Sequence, residues 1–338
     1  MKIYIRVDAY TKIALGHLNR CINLAVSLRN YGHDVTFICF DDPKTKIILN
    51  KMQFQHKLVP FKINDKDNLS KEFTFLKNIS NYTELFIIDS YNVDNEYFVN
   101  LKNYFSTICY LDDLKLDFDV DLVINPSCDV NERDYKAKNV LCGLKYVILG
   151  EEFNIGRQSE IDLSKRSIII TMGGVDHYNL SSRAIPILEN LSKNIELNIV
   201  IGPYYENKEL IRSAVNKSSL KINVFENISN LAPIILKSNI ALTAGGFTSY
   251  ELASLSTASV GIALWKNQNN NIKCLSNHGA LIPLYYSHTE DFDDELSKQL
   301  SKLINDDELV MSISKKASDV IDGNGTNRIV QKIKEFYE

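Results

Sequence analysis

No basic surplus marks this 338-residue sequence: 38 lysines and arginines stand against 42 aspartates and glutamates, a formal net charge of −4. Domains that track phosphate polymers are usually basic, so no nucleic-acid partner is expected. Cysteines are few and scattered, at 21, 39, 109, 128, 142 and 274, with no C-x-x-C pair and no short Cys/His cluster that would close a tetrahedral zinc site. Nowhere do about 18 apolar residues run together, the length a membrane-spanning helix needs. The chain opens on Lys2-Ile3-Tyr4-Ile5-Arg6-Val7 rather than on a basic stretch followed by an apolar one. From these absences neither stable membrane insertion nor a secretory leader is expected, and the expectation is a cytoplasmic protein. Internal sequence repeats are also absent.

Hydrophobic residues make up 45% of the chain and charged residues 24%, ordinary values for a folded globular protein. The length favours two domains of roughly 150 residues each. Short apolar runs alternate with stretches of helical period, the pattern of parallel strands joined by crossover helices, so the fold class is α/β. Strands are predicted at 2–7, 34–40, 56–60, 84–89, 106–111 and 121–125, then at 166–171, 195–201, 221–225, 239–243, 258–263 and 281–285. The polar segment 150–165 has neither period and reads as a linker. The expected organisation is therefore an N-terminal Rossmann-like lobe over 1–155, a C-terminal one over 165–325, and a last helix from 326 to 338 packing back on the first lobe.

Ligands of open parallel sheets gather at the carboxyl ends of the strands, so the turns from strand to helix carry the chemistry. The first such turn runs from Asp8 to Arg20, and Gly16-His17 begins a helix there. The positive end of a helix dipole disfavours an imidazolium, so an imidazole in that place can serve as a base. Read from spacing alone, His17 is equally a residue that hydrogen-bonds locally. Two further turns carry Gly-Gly before a helix: Met172-Gly173-Gly174-Val175-Asp176 and Ala244-Gly245-Gly246-Phe247-Thr248-Ser249-Tyr250-Glu251. Unpaired backbone amides there can hold phosphate without cationic side chains. Glu251, one helical turn on, can accept from ribose hydroxyls as carboxylates do in dinucleotide sites.

Asn267-Gln268 starts another helix, either as a cap or as a grip on sugar or phosphate. Asp89-Ser90-Tyr91 and Asp112-Asp113 end strands of the first lobe. Consecutive residues on a strand point to opposite sides, so Asp112 and Asp113 predict no metal site, and no cofactor is expected. His33, His56, His177, His278 and His288 lack metal spacing and read as surface or packing residues.

Taken together, these pieces resemble the PseG-like UDP-sugar hydrolases of pseudaminic acid biosynthesis and the wider SpsG-like group related to the MurG glycosyltransferases. The matching stretches are Arg6-x-Asp8, Gly16-His17-x-x-Arg20-Cys21, Ile88-Asp89-x-Tyr91, Leu111-Asp112-Asp113, Asn125-Pro126 and Met172-Gly173-Gly174-x-Asp176-x-x-Asn179. Later come Gly245-Gly246-x-Thr248-x-Tyr250-Glu251-x-Ala253, Asn267-Gln268 and Asp322-Gly323-x-Gly325-x-x-Arg328, so the likeness spans nearly the whole chain. It implies a GT-B fold of two lobes facing a crevice, and metal-independent removal of UDP from UDP-2,4-diacetamido-2,4,6-trideoxy-β-L-altropyranose by water, with inversion. His17 would activate the water. Asp8, Gly16, Tyr91, Asn267 and Gln268 would lie by the sugar, and Gly173, Gly174, Gly245, Gly246, Phe247, Thr248 and Glu251 would hold the nucleotide.

The family usually has Gly where this chain has Ala14 and Arg where it has Gly150, departures that bear on which sugar is accepted. Two other activities fit the same residues: a GT-B glycosyltransferase passing the sugar to a hydroxyl acceptor, and a non-catalytic sugar-nucleotide-binding protein. The tract around 60–80 is polar, without the apolar patch a lipid-carrier acceptor would need, which favours water.

Overall fold

The computed structural model describes residues 1–10, 16–80, 82–156, 161–226, 228, 230–289 and 291–337. Ala14 therefore lies outside the described residues. The chain forms two compact units, one of Met1–Gly150 with Asn324–Glu338 and one of Glu151–Gly323.

In the first unit the strands are β1 (Lys2–Val7), β2 (Asp34–Phe40), β3 (Gln55–Val59), β4 (Tyr82–Asp89), β5 (Phe105–Leu111), β6 (Leu122–Asn125) and β7 (Asn139–Cys142), and its helices before the crossing are α1 (Gly16–Asn30), α2 (Pro43–Lys51), α3 (Leu69–Ile79) and α4 (Asn95–Leu101). Among the described residues these strands make a parallel sheet of order β3-β2-β1-β4-β5-β6-β7. Alternation along each strand sends side chains to two different cores. Ile3, Ile5 and Val7 of β1, with Leu85 and Ile87 of β4, enter one cluster. Tyr4, Phe86 and Ile88 enter the other. A sheet buried on both faces needs such continuous apolar runs.

The second unit holds β8 (Arg166–Thr171), β9 (Ile195–Ile201), β10 (Lys221–Glu226), β11 (Ile240–Ala244), β12 (Ala258–Ala263) and β13 (Ile282–Tyr285). Their order is β10-β9-β8-β11-β12-β13, again parallel. Around them lie α5 (Leu180–Leu191), α6 (Lys208–Lys217), α7 (Ala232–Leu236), α8 (Thr248–Ser254), α9 (Asn269–Asn277), α10 (Phe292–Asn305) and α11 (Asp307–Val320). The predicted α/β class with parallel Rossmann-like sheets holds in both units. Strand β7 departs from the prediction. Its apolar run, Val140-Leu141-Cys142, is only three residues long and mostly half-buried, too short to be read as a strand from the sequence.

Helix α12 (Gly325–Tyr337) belongs to the first unit. Ile329, Val330 and Ile333 join the cluster beneath α1. Ser27 on α1 donates to Asn327 at 3.2 Å, and the Thr326 hydroxyl donates to the Leu149 carbonyl at 2.7 Å while accepting from the Leu149 amide at 3.0 Å. Gly325 sits so close that a methyl group there would fall 2.2 Å from the Val147 carbonyl oxygen. The chain thus passes between the units twice. Among the described residues no helix is long and apolar enough to cross a membrane.

Candidate functional site

In the first unit, β1 and β4 are neighbours in register, Val7 opposite Asp89, so the loop after β1 and the end of β4 come to the same level. There the His17 Nδ1 lies 2.7 Å from Asp89 Oδ1. Asp89 is almost wholly buried, while the His17 side chain keeps 17% of its surface exposed. One turn along α1, Arg20 points the same way, because residues three apart share a helix face. It donates to Asp89 through Nε at 3.0 Å and Nη2 at 2.7 Å, and its Nη1 donates to Asp113 at 2.6 Å. Tyr91 completes the cluster, donating its hydroxyl to Asp113 at 3.1 Å with its ring edge-to-face on His17, centroids 4.7 Å apart.

The electrostatics of this cluster fix one proton. Burial alone would push the Asp89 carboxyl up, but the Arg20 guanidinium and then His17 more than reverse this, holding it down at about 2. An ionised carboxylate only accepts, so Nδ1 carries the hydrogen and Nε2 is left to take a proton. Arg20 Nη2 also lies 3.4 Å from Nδ1, but two donors make no bond. Burial, then Asp113, raises the Tyr91 phenol, which stays protonated. Cys21, a buried thiol raised by burial and by Asp89, points its Sγ at Asp89 Oδ2 from 3.5 Å.

Of the other residues expected here, Gly16 is the exposed first residue of α1. Asp8 lies in a different setting. Its carboxylate is buried and accepts from Arg6, from the Phe40 amide at 3.3 Å and from the Ile63 amide at 2.7 Å. Arg6 in turn donates to Glu72, which also accepts from Tyr97. Asp112 faces away from Asp113: it is buried and accepts from the Leu114 and Leu116 amides, from Asn125 and from Tyr135. Both of these carboxylates are occupied by the protein's own donors.

In the second unit, β8 and β11 pair Thr171 with Thr243, and β11 and β12 pair Ala244 with Ile262, so the loops that follow these three strands stand side by side. Gly173 has φ +71°, a conformation that costs glycine little. Gly202 abuts this loop so tightly that a methyl group would fall 2.1 Å from the Gly173 carbonyl oxygen. Asp176, buried, accepts from the Leu180 and Ser181 amides and so starts α5.

At the second Gly-Gly turn, Asn271 donates to the Gly245 carbonyl at 3.2 Å and accepts from Tyr250 at 3.0 Å. Phe247 lies edge-to-face on Tyr250. Gln268 accepts from the Leu264 amide at 2.9 Å, which brings its amide nitrogen beside Gly246. Asn267, in contrast, is exposed within a short turn, Lys266–Gln268, ahead of α9.

Glu251 is the exceptional group. Its Oε2 is buried and, among the described residues, has no hydrogen-bond partner. Burial, then the Glu152 charge, raises its carboxyl to about 7 against an opposing hydrogen bond from Thr248. A buried acceptor without a donor is costly, and such groups mark places where something else completes the bonding.

Residues 167–331 match the profile of the glycosyltransferase family 28 C-terminal domain. MurG of Acinetobacter baumannii superposes with a TM-score of 0.72 at 16% identity, over 99% of this chain and 100% of that one. The chain has a GT-B fold. Among curated relatives, the uncharacterized protein MJ1062 of Methanocaldococcus jannaschii is 23% identical over 352 residues, covering 100% of this chain and 67% of that protein. The spore coat polysaccharide biosynthesis protein SpsG of Bacillus subtilis is 23% identical over 216 residues, covering 62% of this chain and 63% of its own length. The chain thus spans about two thirds of the length of these relatives. Its GT-B fold is glycosyltransferase-family-28-like, with an SpsG-like relative at low identity.

Sequence reasoning named His17, Tyr91 and Glu251 but gave Asp89, Arg20 and Asp113 no part beside His17. The signal for Arg20 was its spacing of three from His17; for Asp89 it was the strand end in register with Val7.

Proposed function

We propose that this protein is a UDP-sugar hydrolase. The second unit holds the nucleotide: amides of the Gly173-Gly174 and Gly245-Gly246 turns take the diphosphate, and Glu251 takes the ribose hydroxyls, giving its unpaired oxygen a donor. In the first unit His17 is the general base. Water attacks the anomeric carbon with inversion and passes a proton to His17 Nε2, the bond from that carbon to the phosphate oxygen breaks, and its electron pair leaves with UDP. Asp89 stabilises the imidazolium that forms, as a buried carboxylate does for a positioned histidine. The observation that carries this reading is the 2.7 Å contact that fixes His17 on Asp89 and leaves Nε2 as the base. The resemblance of the motifs supports a diacetamido-trideoxyhexose as the sugar, on a pseudaminic-acid type of route. Gly150 is buried and brings no guanidinium, so contacts to that sugar differ from the family's usual set.

A second reading, transfer of the sugar to a hydroxyl, is favoured by the family 28 profile and the MurG likeness. Incubation with a panel of UDP-sugars and no acceptor separates the two. Stoichiometric release of UDP and free sugar at multiple turnovers is expected. UDP release that requires an added hydroxyl acceptor would make the protein a transferase, and nucleotide binding without any turnover would make it a binding protein.

A further inference from the structure

A set of aromatic side chains in the second unit has no part in the chemistry above. Tyr178 follows the Gly173-Gly174 turn, Trp265 precedes Gln268 by three residues, and Tyr286 and His288 follow β13. β12 and β13 pair Ala263 with Tyr285, so these segments continue the row of loops at the carboxyl edge of the sheet. Tyr178 stacks on Tyr286 with centroids 3.9 Å apart and planes within 20°. Trp265 lies 5.7 Å from Tyr178 at 35°. His177 is edge-on to Tyr178 at 5.0 Å, and His288 is edge-on to both tyrosines. Phe292, buried at the start of α10, supports Tyr286 from below at 4.9 Å.

This cluster is anchored but not covered. Trp265 keeps 48% of its surface exposed, and His177 and His288 are exposed beside it. Indole surface left in water beside a phosphate-type loop is unrealised binding energy, and small-ligand sites combine such apolar walls with a few polar groups at the rim. A hexose ring matches that chemistry: its C–H face is weakly positive and suits the negative face of an aromatic ring, while its hydroxyl and acetamido groups reach the rim. Glu251 lies beyond the Gly245-Gly246 turn in α8, and the strand before that turn, β11, stands between β8 and β12, so the loops that build the ledge, after β8, β12 and β13, lie on both sides of it. The two ends of a nucleoside diphosphate sugar are its ribose and its hexose, joined through the diphosphate.

We propose that the ledge of Tyr178, Trp265 and Tyr286, rimmed by His177 and His288, seats the hexose ring of the donor. This inference rests on the reading of the second unit as the nucleotide-sugar unit. His177 and His288 are exposed and pack on the tyrosines, as expected of surface or packing residues, and this proposal gives them a further place at the rim.

Trp265 is the single tryptophan of the chain, so indole emission reports on the ledge alone. Rapid mixing of the wild-type protein with UDP-2,4-diacetamido-2,4,6-trideoxy-β-L-altropyranose is expected to change that emission before turnover, whereas UDP alone leaves it unchanged. In a His17→Asn background that spares the sugar, Trp265→Ala is expected to weaken the UDP-sugar by about 10- to 100-fold, Trp265→Phe by less, and neither to change UDP affinity more than twofold. Equal losses for UDP and UDP-sugar, or an emission change with UDP alone, would assign the ledge to the base and overturn the proposal. Unchanged UDP-sugar affinity in both variants, with UDP bound normally, would overturn it while leaving the nucleotide reading intact. Failure of the wild type to bind UDP would reject the nucleotide reading itself, and the ledge as a donor subsite with it.

Discussion

The first unit's polar cluster and the second unit's glycine turns solve the same problem of charge in opposite ways. Around His17 every charged group is already answered: Asp89 by Arg20 and the imidazole, Asp113 by Arg20 and Tyr91. Beyond Gly245-Gly246 the buried Glu251 faces the like charge of Glu152, and one of its oxygens goes unanswered among the described residues. A group meant to move a proton repeatedly must be held in one geometry before substrate arrives. A group meant to bind must keep something in reserve. On the proposed reading the difference teaches that the complete network is preorganised for catalysis, and that the incomplete one awaits a partner supplied by the ligand.

Breaking the complete network should have the largest effect. His17→Asn is expected to lower turnover by about 10²- to 10⁴-fold, the usual contribution of a general base, while UDP affinity by calorimetry stays within twofold. Turnover within tenfold of wild type would remove His17 as the base. Asp89→Asn keeps the shape but lets the imidazole adopt the wrong tautomer, and turnover should fall by about 10- to 10³-fold. Because Asp89 would act only through His17, the double variant should be no worse than His17→Asn alone; multiplying losses would show that the two act independently.

The incomplete site should respond more gently. Glu251→Ala is expected to weaken UDP by about 1.5 to 3 kcal/mol and to erase most of the preference for UDP over deoxy-UDP, since hydrogen bonds to charged groups fall in that range. An undiminished ribose preference would place the nucleotide elsewhere. Smallest of all is a proton count. With its carboxyl raised to about 7, Glu251 is near half-protonated at neutral pH before binding. Ribose hydroxyls donate and so favour the ionised form, which means that UDP binding should release up to about half a proton at pH 7 and strengthen as pH rises through 7. Calorimetry in two buffers of different ionisation enthalpy measures this. Proton uptake, or release that persists in Glu251→Gln, would contradict it.

Much of this architecture was legible in the sequence because parallel sheets covered on both faces demand continuous apolar runs. The run Ile168-Ile169-Ile170 and the turn that follows it could hardly be read otherwise. The place of Glu251 one turn into the helix after Gly245-Gly246 was legible too, since that spacing is local, while its part in binding is a proposal. What escaped were pairings across long chain separations: His17 with Asp89 over 72 residues, Arg6 with Glu72 over 66. Periodicity reports which face a residue takes, not which distant residue shares that face. The aromatic ledge escaped for the same reason, being assembled from three separate loops. Asp8 shows the reverse: a residue at a strand end, where ligands gather, whose oxygens instead bind the amides of Phe40 and Ile63.

The return of α12 to the first unit bears on the order in which the protein is made. A ribosome completes all of the second unit's sequence, Glu151–Gly323, before releasing the residues that cover α1. Domains generally fold as units during synthesis, so the first sheet must wait with the face that Ile329, Val330 and Ile333 will cover still open, while the second can close on its own. That waiting face is where a chaperone would be expected to bind the nascent chain, and a released chain ending at residue 323 would carry a complete second unit beside an unfinished first.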